Sequence, residues 1–278
     1  MPSLFGRIRK PAFESNWPES WIHSYRRDLD SIYPCGRQRG DRVSYRNRFA
    51  HAIDLLLDAT DPGGRLLDVG AAQGNFTIVA AELGYAVVWN DLRTDLSGYV
   101  RLKTARTDIE FLPGNLFDLP ENLNGTFDAV LATEIIEHVA HPDAFLRRLS
   151  DLLAPRGVIV LTTPNGEYFR NTLPRFSACD DPAKYEGMQF QPHADGHIFL
   201  LHPDEWGPLA ASAGLTVRSL QFFNNPLTSG YLGTRQLLPH IPLGLVGALE
   251  GLTEHLPRAL AERLNTHAAV VLSRSPSS

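Results

Sequence analysis

The stretch LLDVGAAQGNF at residues 66–76 decides how the rest of the chain reads. A short apolar run carries the carboxylate Asp68, passes through Gly70, Ala71, Ala72 and Gly74, and opens an amphipathic segment that ends near Leu83. This reads as strand, tight turn and helix start. Glycine admits φ > 0 and close approach of a ligand to the backbone, and amides at a helix start donate to it. The spacing is not that of a dinucleotide turn: G-x-G-x-x-G would need glycine at 72 and 75, where Ala72 and Asn75 stand, and Asp68 would sit poorly beside a pyrophosphate. A carboxylate beside a glycine turn suits a ligand carrying positive charge. Asp91 follows the next apolar run and stands 21 residues beyond Gly70, where an acid can accept from both hydroxyls of a ribose. Asn90 either assists it or serves the turn.

Outward from this turn, apolar runs alternate with amphipathic segments. Strands are expected at 65–69, 85–90, 109–113, 127–132 and 157–163, with helices over 74–83, 92–103 and 142–153, the last closed by Pro-Arg-Gly. Near-continuous apolar strands with crossover helices predict an α/β fold whose parallel sheet is covered on both faces. Residues 164–200 lack periodicity, as expected of a binding loop. A helix at 203–213, a strand at 215–222, a Leu/Pro-rich helical insertion at 226–264 and a last strand, HAAVVLS, at 267–273 complete the pattern. Upstream, residues 13–60 are helical in pieces, with Phe13, Trp17, Trp21 and Tyr25 four apart and a second helix over Tyr45–Leu57. The division expected is a helical arm or lid at 1–60 and one domain at 61–278 carrying insertions at 164–200 and 226–264.

Composition narrows the class. With 278 residues, 43% apolar and 21% charged, the chain can bury a full core, and collagen-like, coiled-coil or wholly disordered architectures are excluded. No cationic leader precedes an apolar stretch and no run reaches membrane-helix length, so a cytoplasmic protein without membrane association is expected. Cys35 and Cys179, far apart and outside any CxxC pair, read as packing thiols. The net charge is −5, yet residues 1–50 hold ten Lys and Arg against five Asp and Glu, leaving 16 against 26 in the remainder. That local +5 is either a solvated, internally paired surface or a hint of an anionic partner.

S-adenosylmethionine carries a sulfonium and an ammonium and so meets the charge requirement of the turn. At this point the chain resembles the class I S-adenosylmethionine-dependent methyltransferases. The resemblance covers residues 60–222 in motif order, with 267–273 as the final strand. Beyond the turn it rests on PGNLFDLP at 113–120, FDAVLATEIIEHVAHPDAFL at 127–146 and LAPRGVIVLTTPN at 153–165. It implies a Rossmann-like, mostly parallel seven-stranded sheet whose last strand is antiparallel. It also implies a cofactor site drawn from Asp68, Gly70, Ala71, Ala72, Gly74, Asn75, Asp91, Leu92, Asn115, Leu116 and Thr133. Two positions depart from the family pattern: Ala72 replaces its middle glycine, and Asn115 replaces its usual aspartate, so an amide oxygen takes the place of a charged contact to adenine. Asp118 is the nearby alternative.

Methyl transfer from a sulfonium needs alignment and, for a hydroxyl acceptor, removal of a proton. The segment after the fourth strand reads Glu134-Ile135-Ile136-Glu137-His138; a helical turn beginning at Glu134 would place Glu137 and His138 on its face at i+3 and i+4. These three are the candidate catalytic residues, as a base pair, a metal site or structural polar contacts. His193, His197 or His202 can add a fourth donor, giving a two-carboxylate, two-imidazole set suited to Mn, Fe, Co or Zn more than to Mg. The string resembles two methyltransferase groups, those of small-RNA 3′-terminal 2′-O-methylation and of ubiquinone biosynthesis; the first implies His197 as the fourth ligand beside Glu134, Glu137 and His138. The leading expectation is O-methylation of a small or medium metabolite. An RNA 2′-O-methyltransferase, a non-catalytic S-adenosylmethionine-binding module and a nicotinamide dehydrogenase are its rivals; the oligomeric state is not legible.

Overall fold

Runs rich in Leu, Val and Ile become central strands buried on both sides, and with the partly exposed edge strands at either end seven strands form one sheet among the described residues. They are β1 (Arg65–Val69), β2 (Ala86–Asn90), β3 (Glu110–Phe111), β4 (Phe127–Thr133), β5 (Leu153–Pro164), β6 (Leu215–Phe223) and β7 (His267–Arg274). The order is β3-β2-β1-β4-β5-β7-β6, with β7 antiparallel to both β5 and β6. The Rossmann-like sheet with an antiparallel last strand is therefore present as expected. The computed structural model describes residues 4–33, 39–189, 196–230, 232–234 and 237–275; Cys35, Phe190 and His193 lie outside the described residues.

Successive residues of one strand feed opposite cores. Leu66, Leu131, Val160 and Val271 face one side, where α1 (Glu19–Ser31), α2 (Arg39–Ala59), α3 (Asn75–Leu83) and α4 (Leu96–Leu102) contribute Tyr25, Phe49, Ile53, Val79 and Tyr99. Leu67, Val130, Leu161 and Val270 face the other, with Phe145 and Leu149 of α5 (Pro142–Leu152) and Trp206 and Leu209 of α6 (Trp206–Ser212). Helices α7 (Leu243–Glu254) and α8 (Arg258–Leu264) fill the connection from β6 to β7. Phe49, Ala52, Ile53 and Leu56 of α2 are 0% exposed. Burying each larger side chain contributes about 1.5–3 kcal/mol, so the amino-terminal arm is part of the sheet's covering layer. Phe49 stacks on Phe76 of α3, ring centroids 4.2 Å apart.

Several boundaries differ from expectation for local reasons. Helix α4 begins at Leu96 rather than 92, because Asp91 Oδ1 accepts from the Arg93 backbone amide and holds 91–95 in a turn. The Pro-Arg-Gly segment does not stop the chain; β5 starts at Leu153, opposite Phe127, and a side chain at Gly157 would meet the Phe127 carbonyl at 2.7 Å. Residues 164–189 are organised by 3₁₀ turns at Phe176–Ala178 and Pro182–Met188. Among the described residues no helix is long and apolar enough to cross a membrane.

Candidate active site

The chain leaves β1 toward β2 on one side and returns to β4 on the other, so connections diverge at the carboxyl ends of β1 and β4 and open a crevice there. Register aligns Val69 with Asn90 and with Ala132, and Thr133 with Thr162. The residues that follow, Gly70, Asp91 and Glu134, therefore emerge along one edge. They line a cleft of about 830 Å³ together with Ala71, Ala72, Asn75, Leu92, Asn115, Leu116, Thr133, His138 and His197. Asp68, Gly74 and Glu137 do not line it.

The turn under the cleft needs its small residues. Gly70, Ala72 and Gly74 have φ of 60°, 47° and 68°, and a Cβ on Gly70 would lie 2.3 Å from Ile135 Cδ1. The left-handed conformation costs about 1–2 kcal/mol at Ala72. It is held by the Ala72 amide donating to Asp91 Oδ2 at 2.8 Å and by Trp89 Nε1 donating to the Ala72 carbonyl at 3.2 Å. Asp91 also accepts from the Arg93 amide and guanidinium at 2.8–3.2 Å, so its carboxylate faces the cleft with its geometry already fixed.

Asp68 departs from expectation. Its carboxyl is 1% exposed beneath the turn and accepts from Thr77 Oγ1 at 2.5 Å. Burial pushes it up to about 7 against the opposing hydrogen bonds from Thr77. The acids that face the cleft are instead Asp28, Asp91 and Glu134. Asn115 Oδ1 accepts from the Phe117 amide at 3.1 Å, and Asn90 ties the Leu112 and Gly114 carbonyls as a structural residue.

The expected helical face on the Glu134–His138 segment does not form. Glu134 sits at φ 57°, and only Ile136–His138 makes a turn, of 3₁₀ type, so the two glutamates point to different surroundings. Glu134 meets Arg48 at 3.1 Å and His267 Nε2 at 3.4 Å, and accepts from Thr162 Oγ1 at 3.0 Å. Burial works to raise its carboxyl, but Arg48 and then His267 prevail and hold it at about 2. Glu137 is 1% exposed; Thr163 Oγ1 donates to Oε2 at 3.0 Å, while Oε1 has no hydrogen-bond partner. Burial, then the negative charge of Glu134, pushes the Glu137 carboxyl well above the usual range.

His138 Nδ1 lies 3.2 Å from the Gly196 carbonyl, which can only accept, so Nδ1 carries a proton and in the neutral ring the lone pair is on Nε2. That Nε2 is 4.0 Å from the orphaned Glu137 Oε1, and the His138 and His197 rings meet edge-on at 4.9 Å. One ligand atom from each of Glu137, His138 and His197 can be chosen so that all three lie within 4.8 Å of one another. Glu134 is outside that group because Arg48, His267 and Thr162 already engage it. An unpaired buried carboxylate oxygen beside two imidazoles fits a divalent metal with mixed oxygen and nitrogen donors.

Four residues that position this site escaped the sequence reading: Asp28, Arg48, Lys103 and His267. His267 had a visible signal, a histidine opening an apolar strand, and it belongs to the buried partners of Glu134. The Trp21 ring packs over Gly98 and its Nε1 donates to the Asp95 carbonyl. His202 and His141 pair with Glu167 and Glu186 in the loop.

Comparison with known proteins agrees with this geometry. A family model described as a methyltransferase domain matches residues 42–220. The ubiquinone biosynthesis O-methyltransferase of Xanthomonas campestris pv. campestris is 36% identical over 106 residues, 37% of this chain and 44% of that protein. The protein of that name from Caulobacter sp. is 32% identical over 174 residues, 60% of this chain and 65% of its own length. The chain thus spans under two thirds of the length of these curated relatives. A solved S-adenosylmethionine-dependent methyltransferase from Mesorhizobium loti shares the fold at TM-score 0.54 and 16% identity, covering 82% of this chain and 98% of that one. The 1,6-didemethyltoxoflavin-N1-methyltransferase of Burkholderia thailandensis does so at TM-score 0.51 and 17% identity, covering 96% and 94%.

Proposed function

The chain belongs to the class I S-adenosylmethionine-dependent methyltransferases, and from that premise we propose that it transfers the methyl group of S-adenosylmethionine to a hydroxyl of a small or medium metabolite. The observation that carries the reading is the convergence on one cleft of the left-handed Gly70–Ala72 turn, the fixed Asp91 carboxylate and the His138 imidazole. The turn and Asp91 seat the nucleoside, with Asn75, Leu92, Asn115, Leu116 and Thr133 walling it. His138, its Nδ1–H held by the Gly196 carbonyl, takes the hydroxyl proton on Nε2 as the oxygen attacks the methyl carbon. Asp91→Ala is expected to weaken S-adenosylhomocysteine binding by about 1–3 kcal/mol, the cost of a lost charge-assisted hydrogen bond. Unchanged affinity by calorimetry removes Asp91 from the ribose role.

A metal-assisted variant is favoured by one observation, the unpartnered Glu137 Oε1 facing His138 and His197. In that variant Glu137, His138 and His197 hold the ion and Glu134 does not. When bound, a divalent cation would lower the pKa of the attacked hydroxyl. Chelation then abolishes turnover, Mn restores it, and Glu137→Ala abolishes the rescue; activity indifferent to chelators leaves His138 as a simple base. An RNA acceptor draws less support. Of the arm's arginines, Arg7, Arg42 and Arg46 donate to backbone carbonyls and Arg48 pairs with Glu134, so four of them are tied to the chain itself.

A further inference from the structure

Lys103 directly follows α4, and its side chain is 0% exposed. A buried ammonium persists only when its donors are met. All three are: Nζ donates to Asp28 Oδ2 at 2.6 Å, to the Gln73 carbonyl at 2.9 Å and to Asn75 Oδ1. Asp28 is equally satisfied, accepting from Tyr99 Oη at 2.8 Å and from Asn75 Nδ2 at 2.9 Å. The cluster joins three separate parts of the chain. Asp28 belongs to α1 of the amino-terminal arm, Gln73 and Asn75 to the turn and the first residue of α3, and Tyr99 and Lys103 to the α4 region. The Lys103 carbonyl also accepts from the Arg9 amide at 2.9 Å, extending the same tie to the start of the chain.

Asp28, Gln73 and Asn75 all line the cleft. The ammonium therefore acts from behind on the groups that meet the ligand. Two of its three hydrogen bonds go to the turn, where Gln73 and Asn75 flank the left-handed Gly74; the third goes to the arm.

We propose that Lys103 is a positioning residue for cofactor binding, holding the Gln73–Asn75 segment in its ligand-binding shape and coupling that shape to the docking of the arm through Asp28. The inference rests on the reading of the cleft as an S-adenosylmethionine site. It makes the arm a component of cofactor affinity rather than a cover that closes afterwards, and coupling of this kind is reciprocal: a ligand that favours the set turn also tightens the arm.

Two measurements test it, both with the full chain and S-adenosylhomocysteine as probe. Lys103→Met strands the Asp28 carboxylate, and the variant is expected to lose both thermal stability and at least tenfold in affinity. The double variant Asp28→Asn/Lys103→Met removes both charges and is expected to regain most of the lost Tm while remaining at least tenfold weaker in binding, since the Gln73 carbonyl and Asn75 Oδ1 still lack their donor. Affinity that recovers in step with Tm would show a merely structural pair and overturn the proposal. The second measurement needs no variant. Saturating S-adenosylhomocysteine is expected to slow hydrogen exchange at the Arg9 amide, outside the cleft, by at least threefold; unchanged exchange in a wild-type protein that binds the ligand overturns the coupling. A wild-type chain that fails to bind it overturns the cofactor reading itself, a separate and recognisable result.

Discussion

His138→Ala is expected to lower kcat by about 10²- to 10⁴-fold, the range for loss of a positioned general base, while leaving S-adenosylhomocysteine affinity within about threefold. The split follows from the geometry. The imidazole lines the cleft on the wall formed by the segment after β4, whereas the turn proposed to seat the nucleoside is built from Gly70–Asn75 and braced by Asp91, Trp89 and Lys103. The Gly196 carbonyl fixes the tautomer, so His138→Asn, which occupies part of the same space without a basic nitrogen, should be nearly as impaired. Single-turnover rates and calorimetry on the same preparations check both halves. A variant that turns over normally, or one that loses binding in proportion to rate, contradicts the assignment of His138 as the proton acceptor.

Glu134→Gln is expected to destabilise the fold by on the order of 1–3 kcal/mol at neutral pH, because Arg48 and His267 would face a neutral amide in a mostly enclosed site. Relief of the charge repulsion on Glu137 keeps the loss toward the lower end. The pH dependence has a definite sign. The Glu134 carboxyl is held at about 2, below its ordinary value, so its contribution is fully present above about pH 4.5 and is lost as pH falls toward about 2. The gap in unfolding free energy between wild type and variant should therefore shrink below pH 4.5. Denaturant titrations at pH 7, 5, 4 and 3 measure it; a gap that stays constant through that range shows that the ionised carboxylate is not what the site uses.

Much of this architecture was legible because the residues that specify it are local. Apolar runs such as LLDV and GVIVLTT admit few alternatives to buried strands, and the switch from strand to turn at Gly70 is written in consecutive small residues. Gly70 and Asp91, two of the residues expected to meet the cofactor, reach the cleft for the same reason: each lies directly after a strand, and the sheet aligns those ends. What failed depended on partners distant in sequence. Glu134 leaves the expected helical face in a setting where Arg48, 86 positions earlier, and His267, 133 later, bind its carboxylate. Asp68 stays out of the cleft, its carboxyl bound by Thr77 in the first turn of α3. Lys103 carried no local signal at all: a lysine at the end of a short amphipathic helix reads as solvated until the arm is seen to bring Asp28 over it.

The account stands most directly on what the cleft at the ends of β1 and β2 accepts. Calorimetric titration of the purified chain with S-adenosylhomocysteine, and in parallel with NADH, is predicted to give saturable one-to-one binding of the first and no heat of binding from the second. Binding of NADH with none of S-adenosylhomocysteine would contradict it.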